Sequence, residues 1–333
     1  MAKTNRQVLL ANRPQGAVTE DNFRIVEVPV GKPGAGEVLV KNEWLSLDPY
    51  MRGRMSDAKS YAKSTEIGEV MVGQTVGEVV ESNDAGFKTG DKVLTPLGWQ
   101  LYGVASAKEL TKIDAERAPA SYYLGILGMP GMTAWFGLFE IGQPKPGNTV
   151  VVSAASGAVG SVVGQLARIK GCRVVGIAGG KPKCDYVVQE LGFDACVDYK
   201  AGNLLADLRE HCPKGVDVNF ENVGGVILDT SLRVMNLFSR IVVCGLIAEY
   251  SATEPYGYKM LRSVLVNRIK MRGMIVFDWK DRYGEALKGL SGYFAEGKLK
   301  YRESIVHGID NAPKGFIALL KGENFGKQLV KLA

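Results

Sequence analysis

Apolar positions in the first third of the chain fall in short runs separated by turn residues. Runs at Phe23–Val30, Glu37–Trp44, Val70–Glu81 and Lys92–Leu94 are broken by segments such as Lys32-Pro33-Gly34 and Gly86-Phe-Lys-Thr-Gly-Asp91. The stretch Gly36-Glu-Val-Leu-Val-Lys-Asn-Glu-Trp44 alternates with period two, as a strand with one buried face does. Short, glycine-bounded strands of this kind predict a small β-barrel.

Near residue 130 the texture changes. Apolar, β-branched runs recur at Thr149–Ala155, Arg173–Gly179, Ala195–Tyr199, Val216–Asn222, Arg240–Leu246 and Lys270–Val276. Helical patterns lie between them, at Gly160–Lys170, Pro182–Leu191 and Leu204–His211, with Gly171 and Gly192 where helix C-caps belong. Six apolar strands alternating with helices predict a doubly wound, six-stranded parallel sheet. After Gly297 the pattern reads strand (Tyr301–His307), helix (Ala312–Lys321), strand (Lys327–Leu332), and these return to the first domain. The expected division is a barrel domain of 1–128 with 301–333 and a sheet domain of 129–300.

Composition narrows the class. With 333 residues, 46% hydrophobic and 23% charged, the chain has a globular balance, which excludes a disordered, collagenous or coiled-coil protein. The net charge of +6 has no basic tract behind it, so nucleic acid is not an expected partner. No apolar run approaches a membrane span, and the N-terminus has no secretory pattern. The five cysteines, Cys172, Cys184, Cys196, Cys212 and Cys244, form no CxxC pair and read as reduced thiols of a cytoplasmic protein. Only two histidines occur, His211 and His307.

The segment Thr149–Gly164 runs from a buried strand into a helix through Ala154-x-x-Gly157-x-x-Gly160. Gly157 lets backbone approach a pyrophosphate, and Gly160 and Gly164 let helix and strand pack closely. The helix N-terminus then offers free N–H groups to the phosphates. The alternative is a tight turn without a ligand. The next strand ends Val174-Val-Gly-Ile-Ala178, followed by Gly179-Gly-Lys-Pro-Lys183. An NAD site usually has a carboxylate there. Two lysines and bare amides suit a 2′-phosphate, so NADP(H) is the expected dinucleotide, unless Lys181 and Lys183 only solvate a helix start.

The first 171 residues contain neither cysteine nor histidine. Catalytic zinc needs such ligands, so no metal site is expected. Reducing an activated carbon–carbon double bond needs no Lewis acid. It needs a hydrogen-bond donor for the carbonyl oxygen, and a protonated tyrosine can serve. The candidates are Tyr50, Tyr61, Tyr250, Tyr256 and Tyr258, each with a partly buried structural role as its alternative. Tyr50 lies in the polar turn Ser46-Leu-Asp-Pro-Tyr-Met-Arg52, where Asp48 and Arg52 are expected to form a local ion pair.

The motifs SLDPYMRGRM (46–55), LGMPGMTAWFGL (127–138), AASGAVGSVVGQ (154–165), KGCRVVGIAGG (170–180), ENVGG (221–225), RIVVCGLIAEY (240–250) and GENFGK (322–327) carry a resemblance over essentially the whole chain. The chain resembles the zinc-independent medium-chain reductases that reduce alkenals and enones, among them bacterial curcumin reductases, plant double-bond reductases and mammalian prostaglandin reductases. The resemblance implies a GroES-like barrel and a Rossmann domain that binds NADPH. It implies Gly180, Lys183 and Tyr199 at the 2′-phosphate and Ser156, Gly157, Ala158 and Val159 at the pyrophosphate. Asn222, Cys244, Gly245, Leu246, Ile247 and Asn324 would follow the adenosine-to-nicotinamide path, with Met129 and Thr133 near the nicotinamide. Tyr50 would face a conjugated carbonyl substrate and Tyr250 the nicotinamide ribose, with Tyr61, Tyr256 and Tyr258 as further substrate-side tyrosines. The plant members' pocket tyrosine aligns with Val266. Members pair as homodimers through the last Rossmann strand, here within Lys270–Val276. A quinone reductase of the same fold and a non-catalytic NADPH-binding protein are the other two readings.

Overall fold

A computed structural model describes residues 4–332. Residues 1–3 and 333, which the expected barrel domain included, lie outside the described residues. Through Gly125, and again from Glu303 onward, the chain forms one compact unit; Ile126–Arg302 forms a second.

The first unit begins with an antiparallel pair, β1 (Thr4–Leu10) and β2 (Phe23–Pro29). The strands β3 (Glu37–Ser46), β4 (Thr75–Ser82), β5 (Lys92–Thr95), β6 (Tyr102–Ser106) and β7 (Thr111–Lys112) follow, with a one-turn helix α1 (Tyr50–Arg54) after β3. Strands β1, β6 and β7 escape a reading by apolar runs. β1 is largely polar, and its buried Asn5 is satisfied by Gln100 Oε1 (3.0 Å) and Tyr102 O (2.8 Å). β6 keeps Gly103 because a Cβ there would stand 2.5 Å from Leu97 Cδ2.

The second unit opens with α2 (Met129–Phe136) and then alternates strand and helix: β8 (Thr149–Ser153), α3 (Gly160–Ile169), β9 (Arg173–Ala178), α4 (Lys181–Gln189), β10 (Ala195–Asp198), α5 (Leu204–His211), β11 (Val216–Glu221), α6 (Gly225–Ser231) and β12 (Met235–Val243). The helix α7 (Arg262–Val266), β13 (Lys270–Gly273) and α8 (Tyr283–Ala295) complete it. The sheet is wholly parallel, in the order β10-β9-β8-β11-β12-β13, which is the doubly wound arrangement expected. Gly171 and Gly192 end α3 and the α4 segment with φ of +83° and +72°. β12 begins and ends earlier than the apolar run Arg240–Leu246. Its continuation is captured by β11: the N–H groups of Cys244 and Gly245 donate to Glu221 O at 2.9 and 3.2 Å. The chain turns there instead of extending.

The C-terminal segment, β14 (Glu303–His307), α9 (Ala312–Leu320) and β15 (Lys327–Lys331), belongs to the first unit. β15 lies between β14, to which it runs parallel, and β3, to which it runs antiparallel. The resulting seven-stranded sheet has the order β14-β15-β3-β4-β5-β7, with β6 also paired to β3. Met51 of α1 and Met55 just after it pack with Leu45, Trp99, Phe316 and Val330, so the helix that carries Tyr50 is fixed on a core shared by both ends of the chain.

Candidate active site

The C-terminal ends of the parallel strands build the first part of the site, within the second unit. After β8 the chain turns at Ala154, a non-glycine residue at φ +49°, and Gly157 N–H returns to Ala154 O at 2.9 Å. A Cβ on Gly157 would lie 3.1 Å from Ala154 O, and one on Gly160 would lie 2.4 Å from it. Glycine at 160 is therefore a steric requirement, and the Ser156–Val159 loop stays open in front of the α3 N-terminus. Gly164 has a different neighbour from the strand expected: its Cβ would stand 1.8 Å from Phe193 Cζ, in the segment leading to β10. That turn, at the N-terminus of α3, fits a pyrophosphate.

The end of β9 fits a phosphate monoester. Gly180, at φ +94°, donates its N–H to Asp198 Oδ1 at 2.8 Å, and Lys200 N–H shares that oxygen at 3.0 Å. Asp198 thereby ties the two loops together. A Cβ on Gly179 would meet the Tyr199 ring and hydroxyl at 2.9 Å and Lys200 Cε at 3.0 Å. Tyr199 and Lys200 thus lie directly over the glycine pair. Burial, and then the neighbouring Lys200 charge, push the Lys183 ammonium below the usual lysine range. Lys181 is diverted, with its Nζ 2.6 Å from Asp185 one helical turn on. Of the two lysines the sequence offered, Lys183 has a second cation beside it, Lys200, which local sequence did not bring forward. Its adjacency to Tyr199 was the available signal. A hollow of about 580 Å³ beside Tyr199 is lined by Asn203, Leu204, Arg209, Val226 and Thr230.

The ends of β8, β11 and β12 meet around a fully buried carboxyl. Glu221 accepts from Ser153 Oγ (2.7 Å), Val223 N (2.7 Å), Gly224 N (3.0 Å) and Asn219 Nδ2 (3.2 Å). Burial pushes this carboxyl above its ordinary range despite those donors. Asn222 spans to β8, its Nδ2 donating to Ser153 O at 2.7 Å. Desolvation, and then Glu221, push the Cys244 thiol up to about 12, so it is inert at neutral pH. The Cys244–Ile247 loop rests on this brace, and Tyr250 folds back against it: its hydroxyl accepts the Leu246 N–H at 3.4 Å. Tyr258 donates to Glu249 and accepts from Gly225 N–H at 3.2 Å, and Tyr256 packs edge-on against it at 5.0 Å. The Tyr258 hydroxyl is thus engaged within its own unit, its pKa pushed up to about 12 by burial and then by Glu249. Met129 and Thr133 share a face of α2, with Thr133 Oγ1 donating to Met129 O at 2.7 Å. Val266 is exposed on α7.

Tyr50, Tyr61 and Asn324 belong to the first unit. Tyr50 opens α1, and burial, followed by the Asp48 charge, raises its phenol well above the ordinary value of 10. It is a protonated donor throughout the neutral range. The Arg54 guanidinium lies over the rings of both Tyr50 (5.5 Å) and Tyr61 (4.6 Å), while Tyr61 is exposed. Asn324 donates to Gly326 O at 2.7 Å, shaping the turn into β15. The expected Asp48–Arg52 pair is not formed. Arg52 reaches instead to the carbonyls of Pro14 (3.3 Å) and Gly16 (2.9 Å), because α1 turns it toward the N-terminal loop. Asp48 takes the buried Lys327 ammonium at 2.5 Å and the Ser46 hydroxyl; Lys327 also donates to Leu47 O at 2.9 Å. Among the described residues, no group of three or more His, Cys, Asp or Glu could hold a metal ion.

A doubly wound sheet with this turn, joined in one chain to a β-rich unit closed by its own C-terminus, defines a medium-chain dehydrogenase/reductase. Two family models match, one described as the N-terminal domain of oxidoreductase over residues 6–113 and one as zinc-binding dehydrogenase over 158–291. The chain is 48% identical to the NADPH-dependent curcumin reductase of Escherichia coli, over 99% of this chain and 97% of that one. It is 42% identical to the NADP(+)-dependent 2-alkenal reductase of Nicotiana tabacum, over 99% of this chain and 98% of that one. The solved structure of Vibrio vulnificus CurA in complex with NADPH superposes with a TM-score of 0.95 at 48% identity, covering 98% of this chain and 99% of that one. The chain belongs to the NADPH-dependent alkenal/enone reductase family, alongside its curcumin reductases.

The Lys327–Asp48 pair has a direct test. Lys327→Ala leaves a carboxylate buried without its cation, and urea unfolding should show a loss of about 3–5 kcal/mol. The double variant Asp48→Asn, Lys327→Met should recover much of it. An unchanged unfolding midpoint in Lys327→Ala would show that the pair does not hold this unit.

Proposed function

We propose that this protein reduces the α,β double bond of conjugated enones and alkenals with NADPH. One observation carries the reading: Tyr199 and Lys200 pack on Gly179, with Gly180 at φ +94° and Lys183 in the first turn of α4, in a chain without cysteine or histidine before Cys172. In this reading 129–300 is the NADPH domain, and 1–128 with 301–333 is the substrate domain.

Lys183 and Tyr199, assisted by Lys200, hold the 2′-phosphate. The Ser156–Val159 loop, at the α3 N-terminus, holds the pyrophosphate, and Met129, Thr133, Asn222, Cys244–Ile247 and Asn324 flank the rest of the dinucleotide. When bound, NADPH supplies the hydride, which goes to the β-carbon. Charge then builds on the carbonyl oxygen, and a neutral phenol donates a hydrogen bond to it. Tyr50 is suited to this because burial keeps it protonated. Tyr250 is the second donor. Tyr61, Tyr256 and Tyr258 are further substrate-side candidates, and the Tyr258 hydroxyl is engaged by Glu249. Solvent or a tyrosine returns a proton to the α-carbon.

We further propose a cytoplasmic homodimer. β13 is an edge strand exposed at all four positions, and Leu237, Phe238, Leu265, Met271 and Phe277 are exposed apolar residues of the same unit.

Following NADPH oxidation with an alkenal, a bulky diaryl enone and a quinone tests the activity. Turnover of the first two is expected; turnover of the quinone alone would overturn the reading. Lys183→Ala should raise the KM for NADPH about tenfold or more, since a charge-assisted phosphate contact contributes about 1.5–3 kcal/mol. NADH kinetics should barely change.

Tyr50→Phe and Tyr250→Phe should each lower kcat about tenfold, and the double variant far more than the product, because either donor partly compensates for the other. The wild-type kcat should show no alkaline limb from Tyr50 below pH 10, since its pKa is raised and the donor form persists there. Full activity in the double variant would remove both tyrosines from the mechanism.

A further inference from the structure

Two of the five cysteines meet. Cys184, on α4, and Cys196, on β10, have their sulfurs 3.1 Å apart, with the Cys196 S–H donating to Cys184. The approach is built into the fold. Cys196 is paired across the sheet with Gly176, where a Cβ would stand 3.3 Å from Cys196 Sγ, 3.0 Å from Val187 Cγ1 and 2.8 Å from Ala155 Cβ. Only glycine lets α4 settle onto this end of the sheet. Cys184 is buried and Cys196 half-buried, so the exposed side of the pair is the Cys196 side.

We propose that Cys184 and Cys196 are a reversible oxidation site that a hydroperoxide converts to a disulfide, and that the bond adjusts the neighbouring dinucleotide seat. A disulfide needs its sulfurs at about 2.05 Å, so from 3.1 Å each side chain must move by roughly half an ångström. The hydrogen bond from Cys196 lowers the Cys184 thiol below its ordinary value and marks it as the attacking sulfur. Its thiolate attacks one oxygen of hydrogen peroxide: an S–O bond forms, the O–O bond breaks, and the departing oxygen leaves as water after taking a proton. Cys196 sulfur then attacks Cys184 sulfur. The S–S bond forms, the S–O bond breaks, and the hydroxide leaves with the Cys196 proton as a second water. The two thiols lose two electrons, the peroxide gains them, and a dithiol reverses the change.

The position gives the bond a consequence. Cys184 directly follows Lys183 on the first turns of α4, and Cys196 lies two residues before Asp198, whose carboxylate holds Gly180 and Lys200. The bond therefore links α4 to β10, the two elements that flank the proposed phosphate seat. This consequence rests on the proposed role of Lys183; the disulfide itself does not.

The holoprotein is treated with hydrogen peroxide, blocked with iodoacetamide and digested for mass spectrometry. With trypsin both cysteines fall in one peptide, 184–200, and the expected result is that peptide two hydrogens lighter than its reduced form and shifted back by dithiothreitol, with Cys172, Cys212 and Cys244 alkylated as controls once unfolded. Cys196→Ser should instead leave Cys184 as sulfenic acid, trapped by dimedone. Free, alkylatable thiols at both positions after peroxide, or sulfinic acid at Cys184 in the wild type without a crosslink, would overturn the site. Fluorescence titration of the oxidised protein should show NADPH binding weakened about threefold or more, restored by dithiothreitol and absent in Cys196→Ser. Unchanged affinity in a crosslinked protein would overturn the coupling. If Lys183→Ala also leaves NADPH affinity unchanged, the assignment of the seat has failed instead, while the disulfide stands.

Discussion

The ammonium of Lys327 is 1% exposed, and much of the first unit is arranged around giving it a partner. Burying a lone cation is prohibitive, so β15 can occupy its place only if Asp48 and the Leu47 carbonyl are there to receive it. Asp48 and Leu47 lie between the end of β3 and the start of α1. The same contact therefore registers the last strand of the chain against the third and sets the base of the helix that carries Tyr50. Glu303, on β14, is a second carboxyl near the same ammonium, and burial raises its pKa. The environment of Tyr50 depends on this buried charge pair: Asp48 adds to the burial that raises the phenol's pKa, and Lys327 holds Asp48 at 2.5 Å.

The second unit solves a different problem with a similar device. Parallel strands end together, and their last carbonyls and amides must be satisfied where a ligand is to sit. Glu221 does this for the loops after β8 and β11, with four donors on one buried carboxyl. Asp198 does it for the loops after β9 and β10. Carboxylates thus organise the loops from behind, while glycines keep the front open. Substituting any of these glycines would place a side chain into backbone at 160 or into Tyr199 at 179.

The same arrangement separates residues that chemistry alone would treat alike. Lys181 and Lys183 have equal claims on a phosphate in the sequence, but Asp185 neutralises the first. Tyr250 and Tyr258 are both phenols near the end of β12. One rests on a backbone amide, and the other is engaged by a carboxylate. Asp48 and Arg52 are four residues apart, which invites an i,i+4 pairing, yet Asp48 precedes α1 and takes Lys327, while α1 turns Arg52 toward the Pro14 and Gly16 carbonyls.

Local periodicity was enough to read the six parallel strands, the helix bounds at Leu204–His211, the C-cap glycines and the Ala154–Gly160 turn, because each is decided by residues within a few positions of one another. The lack of cysteine and histidine before Cys172 was likewise legible, since composition needs no fold. What the sequence could not show were partners brought together from afar. Lys327 and Asp48 stand 279 residues apart, and nothing local marks either as buried. Lys200 reaches Gly179 only because β10 lies beside β9. The Cys184–Cys196 pair exists only because Gly176 lets α4 descend onto the sheet. Short-range sterics and hydrogen bonding write the elements into the chain. Charge pairing and thiol contact across the fold depend on desolvation and close packing, which arise only when those elements have met.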